Sequence, residues 1–539
     1  MQREVIGKCI DYTHDGKGVI KVDKMPIFVD NVLLGEEAKV LITKKEKGYY
    51  LGRRLELLSV SSHRVKPICE NYRECGGCNI QHMDYEEQLE FKRRRVKDVL
   101  KRIGGVEIDI PPVLGMSYPY KYRNKVQVPV GCSYNGQVIA GFYKKGTHTI
   151  IDMDKCYIED PEADKILVTI KRLLTKFEIE PADIMKDTGI VRYILIRRSK
   201  KNGNIMVVFV TKNDFFPKKE RIVRELVEKH KDITTIVQNI NNKRTSMALG
   251  KKDKILYGPG YIEDEIDGLK FKISAQSFYQ VNPIQTEVLY SKAIEFAELS
   301  GNEIVFDAYC GVGTIGLCAS KKAKKVIGVE VVKEAVINAK ENAKINNIKN
   351  AEFYHDDATS FIHHLNNKKQ KLDVIFMDPP RDGSTQSFIQ AVFAIKPKKV
   401  VYVSCDPSSL ARDLKILKEQ YDVVKIQPVD MFPHTHHVET ITLLQRKDID
   451  DRLKVRFDLD NVPLVKEETK ATYQEIKDYI FNKYNVKVST LNIAQTKTKY
   501  GIIERECYNK PKDDDSRQPK CTREKEEMIV DALKHFKML

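Results

Sequence analysis

The chain has 539 residues, of which 42% are hydrophobic, so it is long and apolar enough to form about three or four domains. No apolar run reaches the length of a membrane span, and the first residues lack a signal-peptide core, so we expect a cytoplasmic protein without a membrane partner. Its 92 lysines and arginines exceed its 76 acidic residues and give a net charge of +16, which favours a polyanionic partner such as nucleic acid.

Residues 1–60 form the first predicted domain. Short alternating runs separated by glycine-containing turns are typical of a small β-barrel. The segments GKGV, LLGEEAKVLI and SSHRVKPIC resemble the TRAM domain, an OB-like RNA-binding module of RNA-modifying enzymes. Basic and aromatic residues interleave as an RNA-binding surface requires, although a solvated basic edge has the same composition. They are Lys44, Lys45, Lys47, Tyr49, Tyr50, Arg53 and Arg54.

Four cysteines form a candidate metal site. Cys69, Cys75 and Cys78 lie close together after the barrel, and Cys156 follows far downstream. Two cysteines separated by two residues and flanked by glycine can converge on a metal, and four thiolates complete its shell. By ligand type alone, a structural zinc is the alternative to an iron–sulfur centre. The spacing looks like that of the [4Fe–4S] centre in one group of RNA uracil methyltransferases, and it differs from that of radical enzymes.

A basic helix is predicted next, from Tyr85 to Arg102. Its cations fit either contacts to RNA phosphates or a solvated face, and the sequence favours neither. They are Lys92, Arg93, Arg94, Arg95, Lys97, Lys101 and Arg102.

Alternating strands from Pro111 to about Gly268 predict an antiparallel α+β region with two helices, near residues 165–177 and 218–229. Because Cys156 belongs to this region, we expect residues 61–270 to form a central RNA-binding domain that the cysteine site stabilises.

Residues 271–446 alternate strand and helix patterns, which predicts a Rossmann-like α/β methyltransferase domain with a parallel sheet. In DAYCGVGTIG, Gly311 and Gly313 allow a tight turn near a ligand. Glu330 ends the next strand, where a carboxylate can accept hydrogen bonds from ribose hydroxyls, and Asp356 or Asp357 ends the third. These strand ends suit S-adenosylmethionine better than a dinucleotide, because no phosphate requires a helix terminus.

Cys405 lies between a buried strand and a helix whose first residue is Pro407. We expect the helix terminus to lower the pKa of the thiol and to make Cys405 a nucleophile; a buried structural cysteine is the alternative.

The DPPR segment, Asp378 to Arg381, is also typical of exocyclic-amine methyltransferases. Amine methylation needs no thiol, whereas methylation of a pyrimidine at C5 requires a thiolate that adds to C6.

The segments SFYQVN, DAYCGVG, DPPR, SCDP and HVE, in this order, resemble the bacterial RNA uracil-5 methyltransferase family, in its iron–sulfur 23S ribosomal RNA branch. The resemblance covers roughly residues 1–446. It implies Cys405 as the nucleophile and Glu439 as the base that removes the C5 proton. It also implies that S-adenosylmethionine contacts Gln280, Tyr309, Glu330 and Asp378, and that a [4Fe–4S] cluster is held by Cys69, Cys75, Cys78 and Cys156.

We therefore expect a monomeric enzyme that makes 5-methyluridine in RNA, specifically in 23S rRNA. Transfer RNA is an open alternative, as are amine methylation and a non-catalytic RNA-binding assembly factor. His434, His436 and His437 lack metal-ligand spacing and are predicted to line the RNA crevice. Residues 447–539 are predicted to form a small helical extension, with a linker over residues 509–520 and two structural cysteines, Cys507 and Cys521.

Overall fold

A computed structural model describes residues 3–183, 186–243, 247–447, 471–502, 521–536 and 538–539. The chain divides into two compact units, Met1–Ile449 and Asp450–Leu539. In these described ranges, every helix is too short or too polar to cross a lipid bilayer.

A closed five-stranded barrel forms the beginning of the first unit, in the order β1-β2-β3-β5-β4. Its inward side chains, among them Ile20, Ile27 and Val40, form a small core of their own. The strands are β1 (Arg3–Tyr12), β2 (Gly18–Val22), β3 (Met25–Val29), β4 (Glu37–Glu46) and β5 (Tyr49–Leu57). The predicted barrel is confirmed, and its assignment to the TRAM type stays a prediction.

Helix α1 (Tyr85–Val99) begins at Asp84, whose side chain accepts a hydrogen bond from the Glu87 amide, and it continues as a π-helical turn over Leu100–Gly104. Val96 and Leu100 lie in the same core as the buried strands of the catalytic sheet described below. The segment that links the cysteines to the central region is therefore packed against the catalytic sheet.

The central region contains a six-stranded sheet in the order β11-β10-β9-β8-β6-β7, antiparallel except for the β9–β10 pair. Its two helices lie where the sequence predicts them. The elements are β6 (Lys125–Cys132), β7 (Val138–Ala140), α2 (Pro161–Lys176), β8 (Val191–Arg198), β9 (Ile205–Thr211), α3 (Lys219–Lys229), β10 (Ile233–Ile240) and β11 (Lys252–Tyr257).

A hairpin of β12 (Tyr261–Ile266) and β13 (Leu269–Ser274) leads to the catalytic sheet, whose order is β16-β15-β14-β17-β18-β20-β19. The first five of these strands are parallel, as predicted, and β20 lies antiparallel between β18 and β19. The strands are β14 (Ile304–Asp307), β15 (Lys325–Glu330), β16 (Ala351–His355), β17 (Val374–Met377), β18 (Lys399–Ser404), β19 (Tyr421–Val429) and β20 (Glu439–Arg446).

Six helices accompany this sheet in the described chain: α4 (Pro283–Ala297), α5 (Thr314–Ser320), α6 (Lys333–Ile345), α7 (Ala358–Asn367), α8 (Gln386–Ile395) and α9 (Pro407–Leu417). Helices α5 to α9 each connect two strands of the sheet in the pattern that leaves the carboxyl ends of the parallel strands free for ligands, and α4 leads from the hairpin into β14. These strand ends hold the candidate site.

The second unit contains α10 (Tyr473–Tyr484), α11 (Thr490–Lys499) and α12 (Arg523–His535) in its described residues. Ile480, Ile493 and Leu533 pack together in its core. Helices α10 and α12 lie where the sequence predicts helices. The predicted linker 509–520 and Cys507 lie outside the described residues.

Candidate active site

Strand pairing brings the two predicted catalytic residues together. Ser404 of β18 pairs with Thr440 of β20 in antiparallel register. One residue further along this register, Cys405 therefore stands opposite Glu439. Asp378, which follows the neighbouring strand β17, is close enough for its charge to act on both groups. Three residues that are far apart in sequence thus meet at one edge of the sheet.

The Cys405 thiol is not activated in the free protein. Burial raises its pKa from 9.0 to about 12, and the charges of Glu439 and Asp378 add to this effect, while Arg381 opposes it. The expectation that a helix terminus lowers this pKa is wrong. Asp406 accepts hydrogen bonds from the amides of Ser408 and Ser409 at 2.8 and 3.1 Å, so these first amides of α9 serve the cap.

The two carboxyl groups beside the thiol also bind protons unusually well. Burial raises the pKa of Glu439 to about 8, with a further contribution from the charge of Asp378. Withdrawal from water likewise raises the pKa of Asp378 to about 7. In the described part of the chain, neither carboxylate forms an ion pair with a lysine or an arginine. Both groups can therefore exchange protons near neutral pH, as catalytic acids and bases do.

The predicted cofactor edge is built around Glu330. Its carboxylate accepts hydrogen bonds from the amides of Gly311 at 3.1 Å and Val332 at 2.9 Å, which fix its orientation at the end of β15. Gly313 has φ +84°, and a Cβ there would lie 2.9 Å from the Phe353 ring, so this turn requires glycine. The carboxylate retains free lone pairs for ribose hydroxyls.

Two other predicted cofactor residues lie in the segments that precede α4 and follow β14. Tyr309 follows β14 and its hydroxyl lies 3.3 Å from Ser384 Oγ. Gln280 is buried, and its carbonyl accepts a hydrogen bond from Asn124 at 3.2 Å, which joins the segment before α4 to the central sheet. Of the two candidate aspartates after β16, Asp357 caps α7 by accepting from the amides of Thr359 and Ser360, which gives it a structural role.

Asp307 lies among the predicted site residues but was not itself predicted as one of them. It is buried at the end of β14 and accepts a hydrogen bond from the Gly316 amide at 2.9 Å. Burial raises its pKa to about 7, and the charges of Asp378 and Glu330 contribute. Its position at a strand end, like that of Glu330, was the available signal.

The cysteines of the predicted metal site are electrostatic neighbours. Burial raises the pKa of Cys78 to about 12, and the charges of Cys75 and Cys69 add to this effect. The charge of Cys78 in turn raises the pKa of Cys156, for which burial is the main cause. Across the described ranges, however, no three histidine, cysteine or acidic side chains converge as ligands of a single metal ion. The predicted metal is therefore not confirmed.

The predicted role of the histidines is wrong for His434. Its side chain is 2% exposed, stacks on Tyr120 at 4.4 Å between ring centres, and lies 3.2 Å from Gln88 Nε2 of α1. Its carbonyl accepts hydrogen bonds from the amides of Asn79 and Ile80. His434 thus fixes the segment before β20 to α1 and to the cysteine segment, and it does not line a crevice.

Helix α1 also uses its cations differently from the prediction. Lys92 is fully buried and lies 2.5 Å from Asp430, which also accepts from Tyr85 at 2.9 Å. Both predicted roles of Lys92, contact with an RNA phosphate and a position on a solvated helix face, are therefore wrong. The sequence carried a signal of this burial in the spacing of Lys92, because Gln88, Lys92 and Val96 recur every four residues on the buried face of the helix.

Known proteins are similar to this chain in sequence and in fold. The family model described as tRNA (Uracil-5-)-methyltransferase matches residues 84–447. An uncharacterized RNA methyltransferase of Clostridium tetani is 48% identical over 430 residues, which are 80% of this chain and 93% of the relative. One of Bacillus cereus is 47% identical over 438 residues, covering 81% and 95% of the two chains.

Among solved structures, the Pyrococcus abyssi tRNA (uracil-54, C5)-methyltransferase in complex with S-adenosyl-L-homocysteine matches with a TM-score of 0.66 and 28% identity. The match covers 82% of this chain and all of that one. The fold and the site define an S-adenosylmethionine-dependent methyltransferase. Within that class, the chain belongs to the RNA uracil-5 methyltransferase family, as predicted, and it is an RNA-modifying enzyme.

Proposed function

We propose that the protein methylates C5 of a uridine in 23S rRNA through a covalent adduct between Cys405 and C6 of the base. The observation that carries the covalent mechanism is that Cys405, directly after the Ser404–Thr440 pair of β18 and β20, lies close enough to Glu439 for the charge of that carboxylate to act on the thiol. An amine methyltransferase needs neither group, and a non-catalytic RNA-binding factor needs no nucleophile.

The chemistry requires both residues in turn. As the sulfur bonds to C6, the C5–C6 π electrons move toward O4 and make C5 nucleophilic. S-adenosylmethionine supplies the electrophilic methyl group that C5 then takes, and S-adenosylhomocysteine is the leaving group as the S–CH3 bond breaks. Glu439 removes the C5 proton, the C5–C6 double bond re-forms, and the thiolate leaves. Burial raises the pKa of Glu439 to about 8, so its ionised form is a stronger base than an ordinary glutamate and suits the acceptance of that proton.

Cys405 must lose its proton when the substrate binds. Its pKa of about 12 means that the free protein holds a thiol. Asp378 is the neighbouring carboxylate that takes this proton, because its pKa of about 7 leaves it partly ionised near neutral pH, and Glu439 then remains available for the C5 proton. A thiol that ionises only in the assembled complex is protected from unrelated electrophiles. The target base must also leave its stack, because the sulfur approaches C6 from the face of the ring.

The RNA is proposed to contact the barrel. A groove of about 690 Å³ lies between the barrel and the cysteine segment. Side chains on both of its sides combine cations with aromatic rings, which suits a phosphate backbone and unstacked bases. They include Lys17, Phe28, Arg53, Tyr72, Arg73 and Lys145. This combination of cations and aromatic rings supports an RNA partner for the predicted TRAM-like domain.

Cys69, Cys75, Cys78 and Cys156 are proposed to hold a [4Fe–4S] cluster. The four sulfurs are electrostatic neighbours, since the charges of Cys75 and Cys69 act on Cys78 and that of Cys78 acts on Cys156, and four thiolates are the ligand set of such a cluster. The cluster would stabilise the fold, since none of the four lies at a strand end of the catalytic sheet. Anaerobically purified protein should be brown and contain about four irons. Stoichiometric zinc in a colourless protein would contradict this assignment.

Transfer RNA is the second candidate substrate, favoured by the description of the matched family and by the archaeal neighbour. The predicted cysteine quartet, which resembles that of the ribosomal branch, favours 23S rRNA. Mapping of 5-methyluridine in both RNAs from cells with and without the gene separates them. Loss of the modification from 23S rRNA alone is the expected result, and loss from tRNA alone would contradict it.

A further inference from the structure

Arg95 of α1 touches both catalytic segments of the chain. One nitrogen of its guanidinium donates to the carbonyl of His436 at 2.7 Å, three residues before Glu439. Another lies 3.4 Å from Asp406 Oδ2, and Asp406 directly follows Cys405. A planar guanidinium can bond two acceptors at once in fixed directions, which a lysine ammonium does less well. A single side chain therefore spans the nucleophile segment and the base segment.

The two oxygens of Asp406 have separate tasks. Its Oδ1 accepts the amides of Ser408 and Ser409 and so fixes the start of α9. Its Oδ2 is the atom that faces Arg95. Because the cap already holds Asp406 in place, the guanidinium contact transmits the position of α1 to the residue beside Cys405.

His436 is held from the opposite side as well. Its Nδ1 lies 2.9 Å from Oδ1 of Asn79, an acceptor, so the imidazole donates here. The Asn79 amide donates to the carbonyl of His434 at 3.0 Å. With the cysteine segment on one side and Arg95 on the other, the segment that leads into Glu439 has little freedom to move.

The Arg95 side chain is 7% exposed, which leaves it unavailable to an RNA phosphate in this structure. Its neighbour Arg94 is 34% exposed and pairs with Glu87 at 2.7 Å. Two adjacent arginines on one helix thus have different environments. Of these two residues, Arg95 contacts the catalytic segments, and Arg94 provides a matched control with the same charge.

We propose that Arg95 is a positioning residue, which holds the Cys405 segment and the Glu439 segment at the separation that the reaction requires. It contacts neither reacting atom and acts through His436 and Asp406. This inference rests on the proposed roles of Cys405 and Glu439. A displacement of catalytic groups by about 1 Å costs on the order of 100-fold in rate, so loss of this contact should be visible in the chemical step.

The first test measures single-turnover methylation at saturating RNA and S-adenosylmethionine. Arg95→Met should lose about 100-fold in rate and Arg95→Lys about 10-fold, with affinity for S-adenosylmethionine unchanged within about twofold. Arg94→Met, which removes the same charge, should retain its rate within about twofold. Equal losses in the Arg94 and Arg95 variants would overturn the proposal, because the effect would then follow charge alone.

A double-variant cycle tests the route through Asp406. Asp406→Asn keeps an oxygen for the cap and removes the charge that faces Arg95. If Arg95 acts through this residue, the variant with both substitutions should be no slower than Arg95→Met alone. Rate losses that multiply would show independent action and would overturn the route.

A second measurement needs no RNA. The pH dependence of Cys405 alkylation, followed by mass spectrometry of its peptide, reports the burial of the thiol and the carboxylates held beside it. Arg95→Met should lower the apparent pKa of this thiol toward its ordinary value, because Glu439 is no longer held close, and Arg94→Met should not. An unchanged profile in Arg95→Met would overturn the proposal. If this shift occurs but the wild-type protein makes no 5-methyluridine, the positioning role stands and the proposed function fails.

Discussion

Two buried acidic regions of the molecule differ in how their charge is compensated. Asp430 accepts hydrogen bonds from Lys92, Tyr85 and the Phe432 amide, so each of its oxygens has a partner. Asp378 and Glu439 lie beside each other and beside a thiol, without an ion pair in the described chain. The first arrangement fixes structure, and the second keeps protons available for transfer. In this protein, a buried carboxylate is therefore a candidate for catalysis when its charge is not compensated by an ion pair.

The largest expected effect comes from a substitution that removes the cation paired with Asp430. Lys92→Met leaves Asp430 buried without its cation, and the free energy of unfolding should fall by about 3–5 kcal/mol. Chemical denaturation measures this change. Asp378→Asn is the matched variant in the other region, and it should not lower stability at neutral pH, because it removes a charge that burial disfavours. Equal destabilisation by both variants would contradict the distinction.

The next effect concerns the cofactor edge. Glu330→Ala should weaken binding of S-adenosylmethionine by about 1–3 kcal/mol, the loss expected when ribose hydroxyls lose a charged acceptor. Isothermal calorimetry measures it directly. Glu334→Ala, a change of the same charge in the first turn of α6, is the control and should bind normally. Unchanged affinity in Glu330→Ala would show that the cofactor lies elsewhere.

The third expected effect is on the pH dependence of stability. The folded protein raises the pKa of Asp378 to about 7 and that of Glu439 to about 8, above their ordinary values of 3.8 and 4.5. The folded state therefore binds these protons more tightly, and stability should fall as pH rises from about 4 to about 8. Asp378→Asn should reduce this fall. Denaturation midpoints at pH 5 and pH 9 compare the two proteins, and parallel curves would contradict the raised pKa of Asp378.

The sequence predicts much of the catalytic sheet because each element carries its own signal. Gly311, Gly313 and Pro407 mark turns and a helix start, and the apolar runs mark the parallel strands. The family resemblance likewise singles out Cys405 and Glu439. Their separation of 34 residues hides their adjacency, because only the antiparallel register of β20 creates it.

The sequence did not predict the protonation states of the site or the role of α1. The expectation of a lowered thiol pKa for Cys405 considered the helix terminus alone, whereas the pKa depends on burial and on two carboxylates from other strands. Lys92 and Arg95 look like surface cations in a basic run, and their partners Asp430 and Asp406 are more than 300 residues away. Long-range pairing of this kind leaves no local pattern.

The covalent adduct between Cys405 and the base is the central step of the proposed reaction, and a trapping experiment tests it most directly. Glu439→Gln keeps the shape of the side chain but removes its basicity, so addition and methylation proceed while release stalls. Incubated with its RNA and S-adenosylmethionine, this variant should accumulate an RNA–protein species that survives denaturing electrophoresis. Cys405→Ala and the double variant should form none. Normal turnover by Glu439→Gln, with no trapped species, would contradict the assignment of Glu439 as the base and the account built on its pairing with Cys405.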